Sequence, residues 1–308
     1  MKQRAWKVAI IGAGKVGSVL GRILADKDVP IVAVISRSPS SARKCARFVR
    51  CKRASTSLKD IPSDTSLILI TTPHSAVEEV AIALSQLEQL RFKRLSVCHA
   101  SGMYTADALA PLAARGATVF SFHPLQTFPR DFDPAQILES IPGIYYGVDG
   151  TRQALLVARQ LAGRLGGHLI SIPPGMRVFY HAACVVASNH LTGLLAALES
   201  MYGKLGSAHK AFFPVFKPII MATLRNIEAT SPVEALSGPV ARGGTETVAL
   251  HFDAVRRYAP ELLPYFSSLT EETIALAERK GSLPPERVEE MRQLVRHQEL
   301  SPQNGEKR

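Results

Sequence analysis

Acid is the scarce charge in this 308-residue chain: 26 Asp and Glu stand against 37 Lys and Arg, a formal net charge of +11. That balance favours anionic ligands through the field of the whole molecule and says nothing about fold. Cysteine is also scarce. The four, Cys45, Cys51, Cys98 and Cys184, have no CxxC spacing, which argues against a disulfide framework and fits a reducing, cytoplasmic setting. His181 and Cys184 form a lone HxxC without further ligands, so no metal site is expected. No stretch reaches the roughly 20 uninterrupted apolar residues of a membrane span. The longest, Ala182 to Leu198, is broken by Asn189 and His190, and no membrane partner is expected. The basic residues Lys2, Arg4 and Lys7 lead into a strand and a glycine turn, which is not the pattern of a secretory leader. Aromatic residues make up 6% of the chain. Residues 37–53 carry Arg37, Arg43, Lys44, Arg47, Arg50, Lys52 and Arg53 with no acid, yet only Phe48 among them is aromatic. The stretch therefore reads as a basic helix face near an anionic ligand and not as a nucleic-acid platform.

What is present is a strong alternation. The apolar runs Val8–Ile11, Ile31–Ile35, Leu67–Ile70, Leu95–Cys98 and Thr118–Phe122 are separated by helical patterns. Continuous apolar runs of this length suit strands covered on both faces, as in a parallel sheet. Ser75 with Glu78 has the spacing of a capping box for the third helix. Residues 144–148 and 168–172 predict two later strands around a helix over 152–165. Pro173-Pro174-Gly175 breaks the pattern, and everything beyond it is helical. A long helix is predicted over 176–201, with others covering parts of 207–227, 245–257, 260–280 and 285–298. The expected fold is α/β: a doubly wound, mostly parallel sheet over residues 1–172, followed by an all-helical domain over 173–300. Residues 301–308 are polar and expected to fray.

The run Gly12-Ala13-Gly14-Lys15-Val16-Gly17 follows the first strand and opens a helix with apolar residues at Val16, Val19, Leu20, Ile23 and Leu24. In that context GxGxxG reads as a dinucleotide-binding turn. The first glycine permits the turn, the second lets a pyrophosphate approach, and the third lets the helix pack on the sheet. Free N–H groups and the positive dipole end then face the phosphates. The second strand ends in Ser36-Arg37-Ser38, where an NAD site would hold its ribose with an acid. Arg37 can instead fork onto a 2′-phosphate, with the two serines adding hydroxyls, so NADP(H) is the expected cofactor. The other reading of Arg37 is a cap on a solvated loop.

Ligands of an open α/β sheet sit beyond the carboxyl ends of its strands. Gly12, Ser36, Thr72, Ser101 and His123 all fall at such ends. Thr71-Thr72-Pro73 either passes beside the ribose or nicotinamide or is an ordinary strand-to-helix turn. Ser101-Gly102 either offers a hydroxyl and an N–H to a substrate oxygen or caps a helix. His123 either bonds a substrate hydroxyl or carbonyl or is satisfied by backbone. His181 and Asn189, eight residues apart, are expected on one helix face, turned to the cleft or bonded to a neighbouring helix. In Ser237-Gly238-Pro239-Val240-Ala241-Arg242-Gly243-Gly244, Arg242 either clamps a substrate carboxylate or lies in solvent.

Taken together, GAGKVG, ISRS, HASG, SFHPLQTF, YHAACVVASNH and SGPVARGG resemble the Rossmann-like proteins whose C-terminal part is domain of unknown function 2520, over about residues 5–285. The N-terminal part is similar to deazaflavin-dependent NADP oxidoreductases. The helical part is similar to the C-terminal domains of 6-phosphogluconate dehydrogenases, a group that takes in 3-hydroxyacid dehydrogenases and ketopantoate reductases. The resemblance implies an NADP(H)-dependent reductase of a carbonyl or imine on a small anionic molecule, ketopantoate-like, and a homodimer built through the helical domain. His123-Pro124 is similar to the His-Pro of prephenate dehydrogenases, although Leu125-Gln126-Thr127 departs from their glycine-containing continuation. Asn189 corresponds to the asparagine that hydroxyacid dehydrogenases carry on the long helix. Their lysine has no counterpart between Pro173 and Lys204, which leaves His181 as its substitute. Gly244 stands where the family's RGD has its acid. The implied catalytic set is therefore His123, Ser101, His181 and Asn189, with Gly102 and Arg242 on the substrate. A non-catalytic NADP(H)-binding sensor is the alternative.

Overall fold

The computed structural model describes residues 6–206 and 211–300; the tail over 301–308, expected to fray, lies outside the described residues. Eight strands form one sheet: β1 (Val8–Ile11), β2 (Ile31–Ile35), β3 (Ala54–Ser55), β4 (Leu67–Ile70), β5 (Ser96–His99), β6 (Thr118–Pro124), β7 (Tyr145–Gly150) and β8 (His168–Ser171). Their order is β3-β2-β1-β4-β5-β6-β7-β8. Every neighbouring pair is parallel except β6 with β7. The chain moves outward from β1 to β3 and then returns to pair β4 with the other side of β1. The point where the order reverses thus lies between β1 and β4, the usual crevice of a doubly wound sheet.

The apolar runs are buried on both faces, as their composition requires. Period-2 alternation divides them between two cores. Val8 and Ile10 face one core with Leu20 and Leu24 of α1 (Lys15–Asp26), Cys45 and Ala46 of α2 (Pro39–Phe48), and a third helix over 152–165 through Leu161 and Leu165. Ala9 and Ile11 face the other with Val77, Ala81 and Leu84 of α3 (Val77–Ser85) and with Leu112 of α4 (Ala110–Ala114). A short α5 (Pro134–Leu138) carries a capping box between Asp133 and Gln136. The helix over 152–165 is α6 (Arg152–Leu165), capped by Thr151 and closed by Gly166 in the left-handed conformation.

One local expectation fails. Ser75 and Glu78 make no capping box: His74–Ala76 is a 3-10 turn, and α3 starts at Val77 with no side-chain cap. Pro73 leads directly into that turn, so Ser75 sits inside it and not in the extended conformation of a cap residue.

The chain divides into two compact units between Ser188 and Asn189. The first therefore includes α7 (Arg177–Val185), the start of the long helical run. A π-helical turn, Val186–His190, leads on to α8 (Leu191–Lys204). The second unit continues with α9 (Phe212–Ala229), α10 (Pro232–Ala235), α11 (Thr245–Tyr258), α12 (Leu263–Lys280) and α13 (Pro285–Leu300). Its core joins Val248 and Phe252 of α11, Ile274 and Ala277 of α12, and Val288, Met291 and Val295 of α13. By contrast α9 has no buried residue, and α8 has only Tyr202. Ile219 is 65% exposed, and Leu191, Phe213, Val215 and Leu224 are exposed as well. The run Arg177–Lys204 is long and apolar enough to cross a membrane by length and composition, with a mean hydropathy of 1.3 over its best window. Asn189 and His190 do not interrupt it enough to lower it below that limit.

Two glycines of the first turn are sterically different. Gly12 has φ +104°, and a Cβ there would lie 2.6 Å from the backbone carbon of Thr71. Gly14 has open space where its Cβ would be. Gly12→Ala is therefore expected to lower the unfolding free energy by about 1–3 kcal/mol. Gly14→Ala should cost less than about 1 kcal/mol. Urea denaturation followed by circular dichroism compares the two.

Candidate functional site

The strand ends build the first half of the site. β1 runs into Gly12, and β4 beside it runs into Thr71. The Thr71 hydroxyl donates to the Gly12 carbonyl at 2.7 Å, which staples the glycine turn to the neighbouring strand. Gly17 has no room for a side chain, because its Cβ would meet the Gly12 carbonyl and the Thr71 hydroxyl. The turn is thus held from behind, while Gly14 leaves its front open. Helix α1 starts there with no side-chain cap and no acid in its first turn. Its unbonded N–H groups and positive dipole end form an anion cradle. Thr72 adds a buried hydroxyl oxygen without a partner among the described residues. These features fit a dinucleotide diphosphate.

The remaining predicted residues of that half lie around the same rim. Lys15 donates from its ammonium to the Phe132 carbonyl. Ala13 and Val16 pack against the first core. Arg37 is exposed at the end of β2, between Ser36 and Ser38. The Ser38 hydroxyl caps α2 through the Ser41 N–H at 3.4 Å and meets the Ser40 hydroxyl at 2.7 Å. Pro73 opens the 3-10 turn after β4. Phe48, the one aromatic of the basic stretch, is half-buried under the Arg22 guanidinium, 5.6 Å from its ring centre, and offers no stacking platform.

The second half rests on β6 and β7. Antiparallel pairing sets Ser121 opposite Asp149 and His123 opposite Gly147. One face of this ribbon is therefore small and polar, although the other, with Phe120, Phe122, Tyr146 and Val148, belongs to the core. Helix α7 lays Arg177, Tyr180, His181 and Cys184 together, the i, i+3, i+4, i+7 stripe of one helix face. Arg177 is 3% exposed. Its guanidinium pairs with Asp149 at 3.2 Å and donates to the carbonyls of Ser101 at 2.8 Å and Gly147 at 3.4 Å. Asp149 also accepts from the Ala106 N–H at 2.6 Å and the Ser121 hydroxyl at 2.5 Å. The charged pair is thus held by bonds from three segments, as a buried pair must be.

On this base sit the histidines. His99, fully buried at the end of β5, bonds the Thr105 carbonyl through Nε2 at 2.9 Å and accepts the Ser101 N–H at Nδ1 at 3.2 Å. Both its nitrogens are used, so its role is to shape the loop 99–105. His123 bonds the Tyr180 hydroxyl through Nδ1 at 2.9 Å. Burial, followed by the Arg177 charge, lowers its pKa to about 4; burial lowers that of His99 to about 4 as well. Both rings are neutral at physiological pH. His181 lies beside His123, ring centres 6.0 Å apart, with its Nδ1 buried and without a partner among the described residues. Gly102 lies between them: a Cβ there would be 2.5 Å from His181 Nδ1 and 2.9 Å from His123 Nε2. Ser101 is committed on several sides. Its hydroxyl oxygen accepts from the N–H groups of Met103 and Tyr104, and only the hydroxyl proton is left to offer.

The structure thus gathers Ser101, Gly102, His123 and His181 in the first unit. Asn189 and Arg242 belong to the second. The equal-face reading of His181 and Asn189 assumed regular α-helix, and the π turn Val186–His190 removes that premise; Asn189 lies within the turn. Arg242 is exposed, at the end of a 3-10 turn closed by Gly243 in the left-handed conformation. Arg177, Asp149, Tyr180 and Gly147 were not singled out from the sequence. Two signals were available: an aspartate inside an otherwise apolar strand, and a polar stripe at helical spacing in a helix that looks apolar.

Neutral buried histidines tie stability to pH. A native pKa near 4 against an ordinary value of 6.5 means that the unfolded chain binds more protons between these limits. Stability is therefore full above about pH 6.5 and falls as pH drops toward 4. Each histidine contributes a slope of up to about 1.4 kcal/mol per pH unit. His99→Gln should reduce the slope by roughly one histidine's share, as read by urea denaturation across that range.

Residues 1–124 match a Rossmann-like domain, and residues 144–273 match the domain of unknown function DUF2520. No curated protein matches the chain. Among solved structures, it is similar to a proposed NADP oxidoreductase from Bacteroides fragilis, with 21% identity and a TM-score of 0.66 over 89% of this chain and 98% of that one. A protein from Thermotoga maritima gives 20% identity and a TM-score of 0.69 over 89% and 99%. A reductive aminase from Aspergillus terreus, solved with NADPH and ethyl-5-oxohexanoate, gives 15% identity and a TM-score of 0.55 over 96% and 93%. At these identities the likeness is one of fold. The two domain matches, one after the other, give a Rossmann-like domain followed by a DUF2520 domain.

Proposed function

We propose that this chain is an NADP(H)-dependent oxidoreductase acting on a carbonyl or imine of a small anionic molecule, with a ketopantoate-like 2-oxo acid as the first substrate to try. The observation that carries the reading is the uncapped, acid-free start of α1 beneath the open face of Gly14, on the same sheet edge as His123. In this reading residues 1–172 bind the nucleotide and residues 173–300 complete the substrate site and the dimer.

The nicotinamide supplies the hydride chemistry, and the protein supplies placement and charge. Amides of Gly14 to Gly17 hold the diphosphate. Arg37, with no carboxylate at residues 36–38 to oppose it, holds the 2′-phosphate. Thr72, with its buried and unpartnered hydroxyl oxygen, is assigned to the nucleotide as a further polar contact. His123 bonds the reacting atom of the substrate, with Ser101 and His181 beside it. Asn189 and Arg242 of the second unit are assigned to orienting the substrate and its carboxylate. The exposed apolar residues of α8 and α9 support a homodimer formed through the helical domain. The same exposure accounts for the membrane-length run Arg177–Lys204, whose first turn is tied by Arg177 to the sheet. Four free cysteines support a reducing, cytoplasmic setting.

The absence of a lysine from Pro173 to Lys204, and Gly244 in place of an acid, favour a second reading as a non-catalytic NADP(H) sensor. Turnover separates the two: tight NADPH binding without oxidation by any 2-oxo acid or imine selects the sensor. Calorimetry is expected to show NADPH bound more tightly than NADH. Arg37→Glu should weaken NADPH by at least about tenfold, roughly 1.4 kcal/mol, and leave NADH much less affected. Equal losses would remove the 2′-phosphate assignment. His123→Ala should lower turnover by about 10²-fold or more with little change in nucleotide affinity.

A further inference from the structure

We infer that Tyr180 is a positioning residue that fixes His123 with its proton on Nε2, so that the site presents a neutral N–H donor suited to a substrate oxygen and not to a protonated imine. The substrate half of this inference rests on the oxidoreductase reading above and narrows it.

The argument starts from the phenol. Burial pushes the Tyr180 hydroxyl well above its ordinary range, so it keeps its proton. Two groups compete for that proton: His123 Nδ1 at 2.9 Å and the Cys184 thiol one helical turn on. An imidazole nitrogen is a far better acceptor than sulfur, and a thiol can donate weakly to the phenol oxygen instead. The phenol proton therefore points to Nδ1. A neutral ring that accepts at Nδ1 carries its own proton at Nε2.

The surroundings hold the ring in that state. Burial and the Arg177 guanidinium disfavour a second proton on it. Among the described residues, the titratable or charged groups that bear on His123 are Arg177, Tyr180 and His181 of α7 and His99 of β5, with no carboxylate among them. Asp149 is committed to Arg177, Ser121 and Ala106. A cationic imine would find a donor where it needs an acceptor, and no counter-charge among these groups. A carbonyl oxygen offers lone pairs to Nε2–H, and charge that develops on it is favoured by the nearby guanidinium.

Two glycines make the arrangement sterically possible. A Cβ at residue 147 would collide with the Tyr180 hydroxyl and lie 2.5 Å from the ring carbon that bears it. The phenol thus occupies the slot left by Gly147. Likewise, Gly102 leaves Nε2 uncovered.

Nitrogen-15 spectra of histidine-labelled full-length protein, recorded at neutral pH without nucleotide, test the assignment. His123 is expected to show a protonated Nε2 and an unprotonated Nδ1. Tyr180→Phe, and Gly147→Ala by displacing the phenol, should each convert this pattern to a mixture of tautomers. A parent spectrum with the proton on Nδ1 overturns the inference even if neither variant folds, and so does an unchanged pattern in folded Tyr180→Phe. Kinetics test the substrate half: kcat/KM for a 2-oxo acid should exceed that for 1-pyrroline by at least about tenfold at neutral pH. A preference for the imine overturns that half. Because the spectra need no nucleotide, they decide the role of Tyr180 whatever the outcome of the NADPH calorimetry.

Discussion

The ion pair between Arg177 and Asp149 is the interaction on which the candidate site depends. A guanidinium buried this deeply is tolerated only where its charge and donors are met. Asp149 meets the charge, and the carbonyls of Ser101 and Gly147 meet two donors; Nε is left without a partner. These acceptors come from β7 and from the loop after β5. The bond set therefore fixes both where α7 starts and how it is rotated. Once Arg177 is in place, helical spacing puts Tyr180 and His181 on the same face, one turn further on. The pair contributes geometry more than net stability, since a buried ion pair is often matched by a well-packed apolar substitute, whereas removing one partner leaves a charge uncompensated.

Histidine chemistry then divides according to what each ring is bonded to. His99 and His123 have similar burial effects on their protonation, yet one is bonded at both nitrogens and the other at Nδ1 alone. A ring with both nitrogens bonded within the fold has nothing to offer a ligand. A ring held at one nitrogen is oriented and still has a free site. This distinction, together with the glycines at 102 and 147 that leave room for the rings, is what supports the proposal that His123 acts on a substrate.

The parts legible in the sequence were those decided within one short segment. Strand, glycine turn and helix at residues 8–26 follow from local pattern, and so does the helix expected near residues 152–165, whose observed ends are the Thr151 cap and the left-handed Gly166. The convergence of strand ends follows from parallel-sheet topology alone. The aspartate in β7 and the polar stripe of α7 mark Arg177, Asp149 and Tyr180 in the sequence, but their roles were not legible there, because those roles exist only once β7 turns antiparallel and α7 lies across it. The Ser75 cap failed through the preceding proline. The regular spacing assumed between His181 and Asn189 met a π turn, an irregularity with no clear composition signal in Val-Ala-Ser-Asn-His.

The reversal of β7 explains why polar groups line up at this edge at all. In β1, β2 and β4 both faces are apolar and serve the two cores. In the β6–β7 ribbon the alternation separates a core face from a polar one. Phe122 stacks on Tyr146 with ring centres 4.3 Å apart and planes 18° from parallel, on the face away from His123. That aromatic pair locks the register, because a slip of β7 by one residue would turn Tyr146 toward α7 and bury Asp149 in the core. The hidden face is therefore what keeps Ser121, His123, Gly147 and Asp149 aligned beneath the helix. The core face thus specifies the chemistry of the opposite face without touching it.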